Sequence, residues 1–108
     1  MFDLVKIKEE IERLFQIEFK VEHSDLFGRD ELVYRYKKSH LIIAISHYTC
    51  YDRLGQEFID VDWQSGMPDM HGRGSPCDSV EEVIYDMDYL GYKRREVPLE
   101  RTEQLRLF

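Results

Sequence analysis

The chain has 108 residues, a hydrophobic content of 43% and a formal net charge of −7. This length predicts a single domain with its own core, and an aromatic content of 13% excludes the composition typical of a disordered chain. No apolar run approaches the roughly 18–20 residues of a membrane span, and the start of the chain lacks the apolar stretch of a secretory signal. Two cysteines are too few for a disulfide framework, so we expect a reducing, cytoplasmic setting.

The charge is unevenly distributed along the chain. Residues 1–92 contain 10 Lys and Arg against 19 Asp and Glu, a net charge of −9, whereas residues 93–108 contain 5 against 3, a net charge of +2. This difference predicts an acidic domain over 1–92 and a basic tail over 93–108. The acidic part excludes direct nucleic-acid binding, since phosphates favour clustered Lys and Arg. It suits a basic protein partner, or it serves solubility alone.

The first predicted element is an amphipathic helix that begins after Asp3, a good N-cap residue. Its apolar residues recur at helical spacing, at Leu4, Ile7, Ile11, Leu14 and Phe15. The next stretch, "IEFKVEH", alternates apolar and polar residues and predicts a half-buried strand.

Two further strands, "LVYRYKK" and "HLIIAISHYT", are predicted to form a hairpin that turns at Lys38 and Ser39. A fourth strand, "EFIDVDW", alternates again and places Asp60 and Asp62 on one face. Residues 64–78 contain three glycines and two prolines, so they predict a long loop.

A second helix is predicted after this loop. Ser79 followed by Glu82 has the spacing of a capping box, and Gly91 is suited to end the helix. The order is therefore helix, three or four antiparallel strands, helix. We expect an α+β domain of αββββα order, a three- to four-stranded antiparallel meander with both helices on one face of the sheet.

Four residues are candidate zinc ligands: His47, Cys50, His71 and Cys77. The alternative is that the first two are strand residues on opposite faces and that His71 is a loop residue. We expect no cofactor, so these residues are retained only as candidates.

Two catalytic hypotheses remain open. Asp60 and Asp62, with His71, could bind a divalent cation for phosphate chemistry, although the solvent face of a strand explains both aspartates. Cys77 precedes a helix N-terminus, where a thiol pKa falls, and His71 could act as its base. No phosphate-binding glycine loop or nucleophile elbow is present.

Tyrosines at helical spacing offer a candidate binding face. Tyr85, Tyr89 and Tyr92 fall on one side of the second helix, with Asp86 and Asp88 beside them. Tyrosine is enriched at protein interfaces, so Tyr85 and Tyr89 are candidate partner-binding residues. The alternative is that this stripe packs on the sheet.

The last five residues, "QLRLF", resemble the clamp-binding motif of proteins that bind the bacterial sliding clamp. Gln104, Leu105, Leu107 and Phe108 match the motif, and Arg106 replaces its usual small or acidic middle residue. The resemblance implies that Leu107 and Phe108 fill an apolar pocket, that Leu105 packs at its edge and that Gln104 bonds at its rim. Alternatively, these apolar residues pack on the domain or on another chain.

The leading hypothesis is a non-enzymatic protein-binding module, phage- or mobile-element-borne, that docks on the replication clamp. A second hypothesis is an acidic inhibitor, immunity or DNA-mimic protein with a basic partner. A third is a metal-dependent enzyme or zinc-binding protein. The sequence gives no indication of oligomeric state.

Overall fold

The computed structural model describes residues 1–37, 39–64 and 73–100. It is an α+β domain, as the sequence predicts. Its elements are α1 (Leu4–Leu14), β1 (Lys20–Ser24), β2 (Arg29–Tyr36), β3 (Ser39–His47), β4 (Glu57–Gln64), β5 (Arg73–Cys77) and α2 (Val80–Tyr89), with one 3₁₀ turn at Tyr51–Arg53.

The strands form one antiparallel sheet in the order β1-β2-β3-β4-β5, so each strand pairs with its neighbour in the chain. Ile43 in the central strand is opposite Leu32 of β2 and Val61 of β4. Because side chains alternate along a strand, this register places the three residues on one face. The meander predicted from sequence is confirmed.

That face, which we call the covered face, carries the core. Both helices contribute to the same buried cluster, α1 through Ile7 and Ile11 and α2 through Val83 and Met87. The sheet side of the cluster comprises Leu32, Leu41, Ile43, Ile59, Val61 and Cys77. Both helices therefore lie on one face, as predicted.

The opposite face, which we call the open face, has neither described helix over it. It carries Glu22, Glu31 and Asp60 in one register row, and Lys20, Val33, Ile42 and Asp62 in the next. Asp60 and Asp62 thus share a face, as the alternation of "EFIDVDW" predicts. They are half-buried in the sheet surface.

The fifth strand differs from the prediction, which gave three or four strands and a loop over 64–78. Residues 73–77 form β5, which pairs with β4 from Trp63 opposite Arg73 to Ile59 opposite Cys77. Glycine and proline disfavour strands, but proline is tolerated on an edge strand, where its missing N–H leaves no ladder bond unmade. Pro76 lies on this edge strand, so the loop prediction is wrong for 73–77.

Both helices begin at the residues that the sequence predicts. The Asp3 carboxylate accepts hydrogen bonds from the backbone N–H groups of Val5 and Lys6, at 3.0 and 3.4 Å. The Ser79 hydroxyl accepts one from the Glu82 N–H at 3.2 Å. Such bonds satisfy donors that a helix leaves unpaired at its first turn.

Candidate functional site

The candidate site is a groove bounded by α1, by α2 and by the chain that follows α2. It has a volume of about 610 Å³. Six apolar residues from these three segments and from the start of the chain line it: Met1, Phe2, Ile7, Val80, Ile84 and Leu99. We call it the α1–α2 groove. Its size lies within the range of pockets that take several side chains or a small ligand.

Acidic side chains dominate the polar lining of the groove. Six acidic residues and two basic residues line it: Asp3, Glu9, Glu10, Glu12, Glu81 and Glu100, with Lys6 and Arg13. Arg13 donates two hydrogen bonds to Glu10, at 2.7 and 3.2 Å, and this contact raises the pKa of Arg13. The excess of carboxylates gives the groove a negative potential that favours a cationic occupant.

The chain that follows α2 is bonded to α1 over most of its described length. The Gln16 N–H donates to the Lys93 carbonyl at 2.9 Å, and the Arg95 N–H donates to the Leu14 carbonyl at 2.8 Å. The Leu99 N–H then donates to the Arg13 carbonyl at 3.0 Å. Residues 93–99 are therefore part of the folded unit.

Side chains reinforce this attachment. The Arg95 guanidinium donates to the Glu12 carbonyl at 2.7 Å. Arg94 lies over the ring of the buried Phe15, 4.9 Å from its centroid, and donates two hydrogen bonds to Asp88, at 2.9 and 2.8 Å. The pair with Arg94 lowers the pKa of Asp88. Arg95 thus binds α1, and Arg94 binds α2.

The residues with the clamp-binding pattern, Gln104, Leu105, Leu107 and Phe108, lie outside the described residues. The described chain reaches Glu100, which itself lines the α1–α2 groove. Only residues 101–103 separate Glu100 from Gln104. The resemblance stays a prediction, and the structure supplies the point from which the segment starts.

The two tyrosines predicted to bind a partner lie on the outer side of α2. Tyr85 is 71% exposed and Tyr89 is 79% exposed. At these exposures, neither Tyr85 nor Tyr89 packs on the sheet, as the alternative prediction required. Tyr92 differs, because it lies beyond the helix end and packs edge-on against Tyr34, with ring centroids 6.2 Å apart.

The candidate zinc ligands occupy different environments. His47 ends β3 beside Glu57, Cys50 is exposed, and Cys77 is buried on the covered face. Within 1–37, 39–64 and 73–100, no three His, Cys, Asp or Glu side chains are grouped for metal binding. His71 lies outside these ranges, so the four-residue zinc prediction stays untested.

Cys77 is poorly suited to the nucleophilic role that its position before α2 suggests. It is 2% exposed and its thiol donates a hydrogen bond to Asp86 at 3.3 Å. Reactive thiols lie in accessible, electropositive surroundings, whereas this one lies beside a carboxylate in the core. The residue therefore serves packing at the start of α2.

The two strand aspartates have different partners. Arg29 donates to Asp60 at 3.2 Å and to Glu31 at 3.1 Å, so one guanidinium bridges two carboxylates on the open face. This pairing explains Asp60 without a metal ion. Asp62 lies one register row away, opposite Ile42.

One polar cluster was not predicted from the sequence. The Tyr48 hydroxyl and the Arg53 guanidinium both donate to the Asp78 carboxylate, at 2.9 and 2.8 Å, and Arg53 lies 4.0 Å from the Tyr48 ring centroid. Arg53 and then Tyr48 lower the pKa of Asp78, while desolvation raises the pKa of Tyr48. The cluster joins the 3₁₀ turn to the start of α2.

Neither described helix is both long enough and apolar enough to cross a membrane. Comparison with known proteins gives no relatives. No protein-family model matches the chain, and neither a curated protein nor a solved structure is significantly similar to it.

Proposed function

We propose that this protein is a small protein-binding module that docks on the bacterial sliding clamp through Gln104, Leu105, Leu107 and Phe108. The function is binding, with no catalytic step. The pattern of the four residues supports the partner, because it resembles the clamp-binding motif at every position except Arg106.

The energetics of such a peptide suit transient docking. Burial of Leu107 and Phe108 contributes about 3–6 kcal/mol before the cost of ordering the segment. Hydrogen bonds from Gln104 at the pocket rim would fix the position of the peptide along the pocket. Since about 4 kcal/mol corresponds to a dissociation constant of about 1 mM and about 8 kcal/mol to one of about 1 μM, these two side chains alone give weak binding, and tighter docking needs the other residues of the segment.

The four-residue pattern carries the proposal, and the attachment of the tail to α1 limits how far from the domain the segment can bind. The Leu99 N–H bonds to the Arg13 carbonyl, so the chain is fixed five residues before Gln104. Five extended residues reach at most about 17 Å. The domain would therefore lie within this distance of the clamp.

A binding experiment with the full chain and purified clamp tests this. We expect Leu107→Ala with Phe108→Ala to weaken the affinity at least tenfold, because both anchors are lost. The matched control is Leu26→Ala with Phe27→Ala, which removes an exposed pair of the same residue types between β1 and β2. Equal affinity of the two double variants would contradict the proposal.

A second candidate function is binding of a basic protein through the outer face of α2. Four acidic residues and no Lys or Arg lie within α2, and Tyr85 and Tyr89 project from it. Acidic and tyrosine side chains together suit a basic partner surface, as in inhibitor or immunity proteins. In this case the α2 face, rather than the C-terminal peptide, would supply the affinity.

Salt and tyrosine replacement distinguish the two candidates. Under the second, Tyr85→Ser with Tyr89→Ser abolishes capture of the partner, and capture falls steeply with salt because exposed charges are screened. Tyr51→Ser is the control, since Tyr51 is fully exposed outside α2. Capture that survives high salt and requires Phe108 favours the clamp.

A further inference from the structure

We propose that residues 104–108 bind the α1–α2 groove of their own chain, with Leu105, Leu107 and Phe108 on its apolar lining. The groove then holds the recognition segment in a closed state. This docking does not depend on the identity of the partner. Its regulatory consequence, competition with the clamp, rests on the function proposed above.

The path of the chain supports this occupant. Backbone hydrogen bonds join residue 93 to residue 16, residue 95 to residue 14, and residue 99 to residue 13. The tail therefore runs antiparallel to α1, towards its N-terminus, and Glu100 already lines the groove. A segment that continues from Glu100 in the same direction would pass Glu10, Lys6 and Phe2.

The length of the segment fits the groove. From Arg13 back to Asp3 α1 rises about 15 Å. Eight residues reach about 26 Å when extended. Residues 101–108 are thus long enough to pass along α1 and still place Leu107 and Phe108 near Phe2 and Val80.

Charge and polarity also match. The groove lining has six acidic residues against two basic ones, whereas residues 101–108 contain Arg101 and Arg106 against Glu103. Arg106, the residue that departs from the clamp-binding motif, is the one that an acidic groove would favour. The apolar lining includes Ile84 and Leu99, which the segment would cover.

The closed state has a measurable consequence for partner binding. A segment held in the groove is available to a partner only in the fraction of molecules that are open, so the apparent affinity falls by that fraction. A free peptide with the sequence of residues 101–108 should therefore bind the clamp more tightly than the full chain does.

Methyl NMR of the full chain, without any partner, tests the docking itself. The probes are the Ile7 and Ile84 methyl groups in the groove, and the Ile42 methyl on the open face is the reference. We expect Leu107→Ala with Phe108→Ala to shift both groove methyls and to leave Ile42 in place. The matched control, Leu26→Ala with Phe27→Ala, should leave the groove methyls unchanged.

Two outcomes would overturn the proposal. Groove methyls that do not respond to the Leu107 and Phe108 replacements exclude docking in the groove. Shifts that fade on dilution identify a second copy of the chain as the occupant and exclude docking in cis. Because no clamp is present, failure here is distinct from failure of clamp binding.

Charge reversal at the groove rim provides a second test. Glu81→Arg places a positive charge against Arg101 and Arg106 and should weaken the docking. The Ile7 methyl signal should then shift towards the position that it has in the Leu107→Ala with Phe108→Ala variant. Glu18→Arg is the control, because Glu18 is exposed and lies outside the groove lining. An identical response to the two reversals would overturn the role of the acidic rim.

Discussion

The covered and open faces of the sheet are built from the same strands by different physical means. On the covered face, Ile43 and Leu32 are completely buried beneath the two helices. On the open face, Glu31, which directly precedes Leu32 in β2, is 9% exposed and forms an ion pair with Arg29. Burial of apolar area stabilises the covered face, and pairing with Arg29 offsets the desolvation of the carboxylates on the open face.

The comparison shows that alternation along a strand does not simply separate core from solvent. Asp60 and Glu31 lose much of their hydration on the open face, and one guanidinium satisfies both. Such a bridge contributes little net stability, but removal of its cation leaves carboxylates in a partly desolvated position. Truncation on the covered face should therefore be costly, whereas among the charged residues of the open face the sensitive position should be Arg29.

The largest effect is expected from Ile43→Ala. This change leaves a cavity in the central strand and should lower the free energy of unfolding by about 2–5 kcal/mol. Urea denaturation followed by circular dichroism measures it. Ile43→Val is the matched control and should cost about 0.5–1.5 kcal/mol. Equal losses would mean that the covered face relaxes around the cavity.

A smaller effect is expected from Arg29→Met on the open face. Glu31 and Asp60 lose their shared partner, and the free energy of unfolding should fall by about 1–3 kcal/mol at neutral pH. Arg35→Met is the control, since Arg35 pairs with Glu22 at an exposed position and its loss should be nearly silent. A large loss from Arg35→Met would contradict the contrast.

The rim of the covered face has its own pH response. Burial and, to a lesser extent, Tyr34 raise the pKa of Tyr92 to about 12. The Tyr92 hydroxyl of the unfolded chain loses its proton near the ordinary pKa of 10, whereas that of the folded chain keeps it up to about 12. The free energy of unfolding therefore falls as the pH rises from about 10 to 12. Unfolding in urea across this range, with Tyr92→Phe as the comparison, measures it. The variant should lose less stability than the wild type.

The smallest effect concerns the exposed cluster of Tyr48, Arg53 and Asp78. Arg53 lowers the pKa of Asp78, so this contribution is present above the ordinary value of 3.8 and disappears as the pH falls through the lower, folded-state value. Arg53→Met should flatten the acid limb of the stability curve slightly. Thermal unfolding between neutral pH and pH 2 measures this change. An acid limb that is the same in the variant and the wild type would contradict a contribution of the cluster to stability.

Local patterns predicted most of the fold. The helical spacing of Ile7 and Ile11, the alternation around Val61 and the cap at Ser79 each correspond to the observed element. Residues 73–77 were missed because glycine and proline obscure a strand that exists through pairing with β4. The packing of residues 93–99 was missed because backbone hydrogen bonds to α1 leave no periodic signal.

The candidate site was less predictable than the fold. Helical spacing places Tyr85 and Tyr89 on one side of α2, but it leaves open whether that side faces outward, and Tyr92 falls beyond the helix and turns inward. The α1–α2 groove requires three segments from distant parts of the sequence, so no local pattern identifies it. The bridge of Arg29 between Glu31 and Asp60 likewise depends on strand register.

The attachment of the tail to α1 also determines the order in which the molecule can be completed. Arg95 bonds to the Glu12 carbonyl across 83 residues of sequence. Although α1 is made before the sheet, it is therefore among the last elements to be finished, because residues 93–99, which bond to it, are made after the whole sheet and α2. Loop closure over such a distance is slow compared with the pairing of neighbouring strands. We therefore expect the hairpins of the sheet to form before α1 makes its contacts with residues 93–99.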